Sequence, residues 1–223
     1  MVVFRIVSIL LGYLFGLFPT GVLYGKAHNV DIRSKGSGNS GMTNSLRVLG
    51  WKAGVVVFFG DCLKAVAAMA IIWGVARTRY PDAVKLLELY AGFGAVLGHN
   101  FPFYMKFKGG KGIASSVGIV FAFDWRMVPI CAILFFTSVV PTGFMSLGSL
   151  GILSGFFVQT IVFGQLGLLK IATQFFAGDL CACGDFDGTG ILATPCKYQT
   201  SGNRNGEQIS PGKKGKLNPY IIM

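Results

Sequence analysis

The sequence predicts an all-α fold: a polytopic integral membrane helix bundle. Three observations predict it. Apolar residues make up 52% of the chain and charged residues 13%, against about 25% charged in a soluble domain. The apolar residues gather in runs near the ~20 residues that a helix needs to cross hydrocarbon. The lysines and arginines, which bring the formal net charge to +11, fall mainly in short stretches between those runs, where topology and anionic headgroups account for them. That placement argues against a basic nucleic-acid-binding domain.

The first span runs from Phe4 to Tyr24 and is kinked near its end by Pro19. It is too long for a signal-peptide core and lacks a small-residue cleavage site. A loop over residues 25–52 carries Lys26, Arg33, Lys35, Arg47 and Lys52. The second span, Ala53 to Ala76, contains Asp61 and Lys64, three residues apart and hence on one helical face. They read equally as an ion pair turned into the bundle and as groups near a site. The third span is Leu86 to Phe103, followed by the cationic loop Lys106 to Lys111. Ile113 to Val140 is apolar except at Asp124-Trp125-Arg126, which predicts two short segments meeting at a turn. Thr142 to Ser149 is small and hydroxyl-rich, and Ile152 to Leu169 is a further span. The total is five to six spans. The two cationic loops lie two crossings apart, so both face the cytoplasm with the N-terminus outside, although Arg77, Arg79 and Lys85 fall on the opposite side.

Those two loops carry the chemistry. In GSGNSGMTNSLR, residues 36–47, Gly36, Gly38 and Gly41 allow sharp turns and close approach to a ligand. Ser37, Asn39, Thr43 and Asn44 add short polar groups, and Arg47 offers a planar fork suited to phosphate. A helix beginning near Thr43 would add free N–H groups. In GHNFPFYMKFKGGKG, residues 98–112, Lys108 and Lys111 flank Gly109-Gly110 to form a compact cationic nest. His99 and Asn100 precede it. His99 reads as a base, as a donor to an oxyanion or as a structural histidine. The nucleotide-binding spacing GxxxxGK[ST] is absent, because Gly112 follows Lys111. No metal-ligand cluster is visible, and no cofactor is expected. The pattern is phosphate binding, once or twice, beside a bilayer.

These residues resemble the bacterial acyl-phosphate:glycerol-3-phosphate acyltransferases. Asp31-Ile32-Arg33 with GSGNSGMTN-x-x-R, then GHNFPFYMKFKGGKGIA, are similar to the first two signature motifs of that family, with Met42 where alanine is usual. Asp61-Cys62-Leu63-Lys64 resembles its Asp-x-x-Lys, and Ser146-Leu147-Gly148-Ser149 its serine-rich stretch. The likeness covers roughly residues 1–170. It implies a seven-helix plan and transfer of a fatty acyl group from acyl phosphate to the 1-hydroxyl of glycerol 3-phosphate, in phospholipid synthesis. It places the protein in a bacterial inner membrane, among membrane lipids and in association with other phospholipid-synthesis enzymes. Carried over, Ser37, His99 and Lys111 would be catalytic. Gly36, Gly38, Asn39, Asn44, Arg47, Asn100, Lys108, Gly109, Gly110 and Ser146 would bind substrate. No carboxylate–histidine pair is visible in the sequence, which favours a phosphate oxygen of the donor over His99 as the base.

The family's last helix and third motif, close to HRxNIxRLxxGTE, are missing. Residues 177–208 are neither apolar nor similar to it, and they strand Cys181, Cys183 and Cys196 in a polar tail. The genetic code offers an explanation. Read one base later from Phe176, allowed codons can spell an apolar helix followed by HRANIKRL and GTE. The sequence thus reads as a transmembrane domain over 1–176 and an aberrant, frameshifted tail over 177–223. Two other readings compete with an active enzyme: a multi-pass transporter or channel for an anionic solute, and an inactive membrane remnant.

Overall fold

A computed structural model describes residues 1–169, which form eight α-helices. They are α1 (Val2–Gly16), α2 (Thr20–Ala27), α3 (Met42–Leu49), α4 (Trp51–Arg79), α5 (Val84–Asn100), α6 (Ile113–Phe123), α7 (Val128–Thr142) and α8 (Met145–Gln165). The tail assigned to a frameshift, 177–223, lies outside the described residues.

The first apolar run is two helices rather than one kinked helix. Leu17 to Pro19 is non-helical, because Pro19 has no N–H to give and its ring crowds the carbonyl four residues back. The carbonyls that the break releases find partners: the Tyr104 hydroxyl donates to Leu17 O, and Lys64 Nζ donates to Phe18 O at 3.1 Å. Helix α5 stops at Asn100, short of the expected Phe103, because a residue preceding a proline, here Phe101 before Pro102, is pushed out of the helical region. The expected turn at Asp124 is present. Asp124 accepts from the Arg126 backbone N–H at 3.0 Å, and the Arg126 guanidinium grips its carboxylate at 2.6 Å and the Leu168 carbonyl at 2.9 Å. The Arg126 hydrogen bond holds the Asp124 carboxyl below the usual carboxylate range. Helix α8 starts at Met145, so most of the hydroxyl-rich stretch lies at its start.

Among the described residues, four helical runs are long and apolar enough to cross a membrane: Val2–Ala27, Trp51–Arg79, Trp125–Thr142 and Met145–Gln165. Helices α5 and α6 have 17 and 11 residues, about 25 and 17 Å of rise. These two short helices share the cationic loop, which is therefore drawn into the bundle. His99, at the end of α5, touches Lys64, a residue that α4 reaches only after about 20 Å of rise from Trp51.

Helix α1 packs against α5 through small residues. A Cβ at Gly12 would lie 1.9 Å from Ala91 O, and one at Gly94 2.2 Å from Ile9 O, so the two backbones are in direct contact. Met69, Leu87, Phe123 and Met127 fill the core between α4, α5 and α6. Leu10, Phe59, Ile133 and Phe157 lie exposed on the outside, as expected of side chains that face lipid. The chain alternates direction through α4–α8, so the loop 28–41, the loop 101–112 and the α7–α8 junction all gather at one end.

Candidate active site

Asn44 builds the first loop. Its Oδ1 accepts from the Ser37 N–H at 2.8 Å, and its Nδ2 donates to the carbonyls of Ile32 (2.9 Å), Lys35 (3.1 Å) and Asn39 (2.9 Å). The side chain is 2% exposed and spent on the loop's own backbone. Gly36, at φ +61°, passes so close that a Cβ would lie 2.2 Å from Asn44 Oδ1. Asn39 Oδ1 accepts from the Gly41 N–H at 2.9 Å, and α3 begins one residue later, at Met42. The N–H groups of a first turn have no partners within their own helix. Replacing Asn44 with aspartate, an acceptor that cannot donate to three carbonyls, is expected to collapse the loop. The measurement is the thermal midpoint of the detergent-extracted protein, expected to fall, since each lost buried partner costs ~1–3 kcal/mol.

The second loop folds back on the end of α5. The Gly110 N–H donates to His99 O and the Gly109 N–H to Asn100 O, both at 3.0 Å. Gly110 rests on the His99 ring, where a Cβ would lie 1.9 Å from Nε2. Behind the ring, Lys64 Nζ lies 2.6 Å from His99 Nδ1 and 2.8 Å from Asp61 Oδ1, and Thr20 Oγ1 donates to that same carboxylate oxygen at 3.1 Å. A carboxylate therefore does stand near His99, with Asp61 Oδ1 3.6 Å from Nδ1. No sequence pattern pairs them, because they lie on different helices. Asp61 and Lys64 are both buried, 1% and 7% exposed, so they form an ion pair turned into the bundle, beside His99.

A cavity of about 710 Å³ brings most of these groups together. Ser37, Asn39, Asn44 and Arg47 from the first loop and α3, His99 from the end of α5, Lys111 from the second loop, Asp61 and Ser146 all line it. Its far wall is apolar, with Val117, Val120, Cys131, Phe135, Phe136 and Ile152 from α6, α7 and α8. Lys108, Gly109 and Gly38 line a different cavity, bounded by Leu14, Phe18 and Tyr104. Asn100 lines neither, but its Oδ1 is buried without a hydrogen-bond partner among the described residues, 2.7 Å from where a Cβ on Gly112 would sit. The cavity thus joins a cationic end, with Arg47 and Lys111, to an apolar wall.

The family model described as "Glycerol-3-phosphate acyltransferase" matches residues 6–182. The chain belongs to that family. Glycerol-3-phosphate acyltransferase 2 of Lactobacillus johnsonii is 42% identical over 144 residues, 63% of this chain and 63% of that protein. The glycerol-3-phosphate acyltransferase of Macrococcus caseolyticus is 38% identical over 167 residues, 74% of this chain and 81% of that one. Among solved structures, PlsY (YgiH), an integral membrane glycerol 3-phosphate acyltransferase in its glycerol 3-phosphate form, superposes with a TM-score of 0.64 at 31% identity, covering 77% of this chain and 81% of that chain. This member of the acyltransferase family is thus an integral membrane, all-helical protein. Sequence reasoning missed Thr20 and the Phe18 carbonyl as parts of the site's foundation. The signal for both was Pro19, which breaks the helix beside them.

Proposed function

We propose that residues 1–176 form the site at which a fatty acyl group passes from acyl phosphate to the 1-hydroxyl of glycerol 3-phosphate, on the cytoplasmic side of a bacterial inner membrane. The observation that carries this reading is the one cavity in which Arg47 from α3 and Lys111 from the loop after α5 share a polar end with an apolar wall. Two phosphates and one acyl chain need that combination. Ser37, Asn39, Arg47 and Lys111 hold the anionic groups, and the apolar wall takes the chain.

The mixed anhydride is already activated, so no covalent enzyme intermediate is required. The hydroxyl oxygen attacks the acyl carbonyl carbon, the bond from that carbon to the phosphate oxygen breaks, and the hydroxyl proton goes to a phosphate oxygen of the donor. The products are 1-acylglycerol 3-phosphate and inorganic phosphate. Cationic and N–H groups stabilise the charge that develops on the carbonyl oxygen and the departing phosphate. The lipid product remains in the bilayer, where other phospholipid-synthesis enzymes can take it.

Membranes containing the chain are expected to acylate glycerol 3-phosphate with acyl phosphate and not with acyl-CoA. Ser37→Ala and Lys111→Ala are expected to lower turnover ~10²–10³-fold while the protein still inserts. Near-normal rates in either variant would remove that residue from the site. The tail belongs to the same reading. Resequencing the gene across codons 165–180 is expected to show one extra base, and restoring the frame is expected to raise activity. An unshifted gene would end the frameshift explanation.

A further inference from the structure

Beneath the cavity, one buried cation has its hydrogen bonds accounted for. An ammonium carries three donors and no acceptor. Lys64 Nζ meets three acceptors: Asp61 Oδ1 at 2.8 Å, Phe18 O at 3.1 Å and His99 Nδ1 at 2.6 Å. Asp61 Oδ1 also accepts from Thr20 Oγ1 at 3.1 Å, which fits an ionised carboxylate beside an ammonium. Because Lys64 can only donate, Nδ1 of His99 must be the nitrogen with the lone pair. A neutral imidazole with a bare Nδ1 carries its proton on Nε2. An imidazolium would aim an N–H at an ammonium, and the 2.6 Å separation leaves no room for it. Asp61 stands 3.6 Å from Nδ1, beyond hydrogen-bonding distance, so it acts on the ring only through Lys64.

We propose that Lys64, backed by Asp61 and Thr20, locks His99 in the Nε2–H tautomer, so that His99 serves the acyl transfer as a fixed hydrogen-bond donor and not as its base. Neither nitrogen is free to take a proton: Nδ1 is occupied by Lys64, and Nε2 already bears one. The Nε2 edge lies at Gly110, beside Lys111, and His99 lines the cavity with that lysine. A phosphate oxygen or the acyl oxyanion held at this end would accept from it. Lys64, Asp61 and Thr20 are then positioning residues. The assignment of what His99 donates to rests on the acyl-transfer reading, whereas the tautomer itself does not.

The test is nitrogen NMR of the full chain in detergent micelles, with ¹⁵N-labelled histidine. The chain has two histidines, and a His28→Gln sample assigns the signals. The charged groups around His99 are Asp61 and Lys64 from α4 and Lys111 from the loop. With these in place, His99 is expected to show a protonated Nε2 and a bare Nδ1, unchanged between about pH 6 and 9. In Lys64→Met the fixed pattern is expected to give way to a mixture of tautomers. In the transfer assay, His99→Gln, which keeps an N–H donor, is expected to retain at least ~10-fold more turnover than His99→Leu. A protonated Nδ1, an imidazolium titrating in that range, or a Lys64→Met pattern like the parent's would overturn the proposal. The parent spectrum decides even where Lys64→Met fails to fold. The expected tautomer without any acyl transfer would defeat the functional reading alone, and transfer with a bare Nε2 would defeat this inference alone.

Discussion

Gly12→Leu is expected to prevent the bundle from assembling. The first added carbon would sit 1.9 Å from Ala91 O and 2.9 Å from Ala95 N, backbone atoms that no rotamer change can move aside. Relief requires the two axes to separate by more than 1 Å, judged against an ordinary contact of ~3.5–4.0 Å. That separation also opens the contacts at Gly16, Gly94 and Gly98, where a Cβ would lie 2.2 Å from a carbonyl of the facing helix. Within lipid there is no hydrophobic drive to hold helices together, so close packing of this kind carries much of the association. A loss of about 3 kcal/mol or more is expected, read as a fall in thermal midpoint and in the monodisperse fraction after detergent extraction. Gly74→Ala is the control. It lies in α4 with nothing within 4 Å of the new carbon, and alanine favours a helix by about 1 kcal/mol. Equal behaviour of the two variants would mean that α1 and α5 are not held by their glycines.

The second large effect concerns Asp61. Asp61→Leu strands the Lys64 ammonium, 7% exposed, with only Phe18 O and His99 Nδ1 as partners. Removing one member of a buried pair costs about 3–5 kcal/mol, because the remaining charge is left uncompensated. Replacing both members with apolar residues is often close to neutral. Asp61→Leu combined with Lys64→Met is therefore expected to be more stable than Asp61→Leu alone, a non-additivity of at least ~2 kcal/mol by denaturant unfolding in micelles. The double variant recovers stability but not turnover, since the lysine that orients His99 is gone. Strict additivity would show that the pair is not coupled.

The helices were legible in the sequence because lipid-facing segments must be apolar for their whole length. So was the turn at Asp124–Arg126, since these charges interrupt an otherwise apolar run, and they pair at 2.6 Å. The glycine-and-cation loops read by composition as candidate phosphate holders, and the structure puts Ser37, Arg47 and Lys111 around one cavity. The division of labour within the loops was not. Asn44 reads as a ligand-binding residue, yet its amide is consumed by four backbone groups. Lys108 and Lys111 read as one nest, yet they line different cavities, because the chain takes left-handed conformations at Lys106, Phe107 and Gly112 around them. The surroundings of His99 were hidden for a different reason. Spacings of three or four report neighbours on one helix, and so reveal Asp61 with Lys64. No local spacing reports a contact from α4 to α5.

The pairing of α1 with α5 sets an order on manufacture. The Tyr13 hydroxyl donates to the Phe101 carbonyl, 88 residues further along, at 2.8 Å. At roughly 5–20 residues per second, a ribosome needs on the order of 5–20 s to deliver that partner. During this interval the earliest segment resides in lipid with its glycine groove unfilled, open to insertion chaperones and membrane proteases. The α1 groove therefore marks an unfinished molecule until translation has passed the second cationic loop.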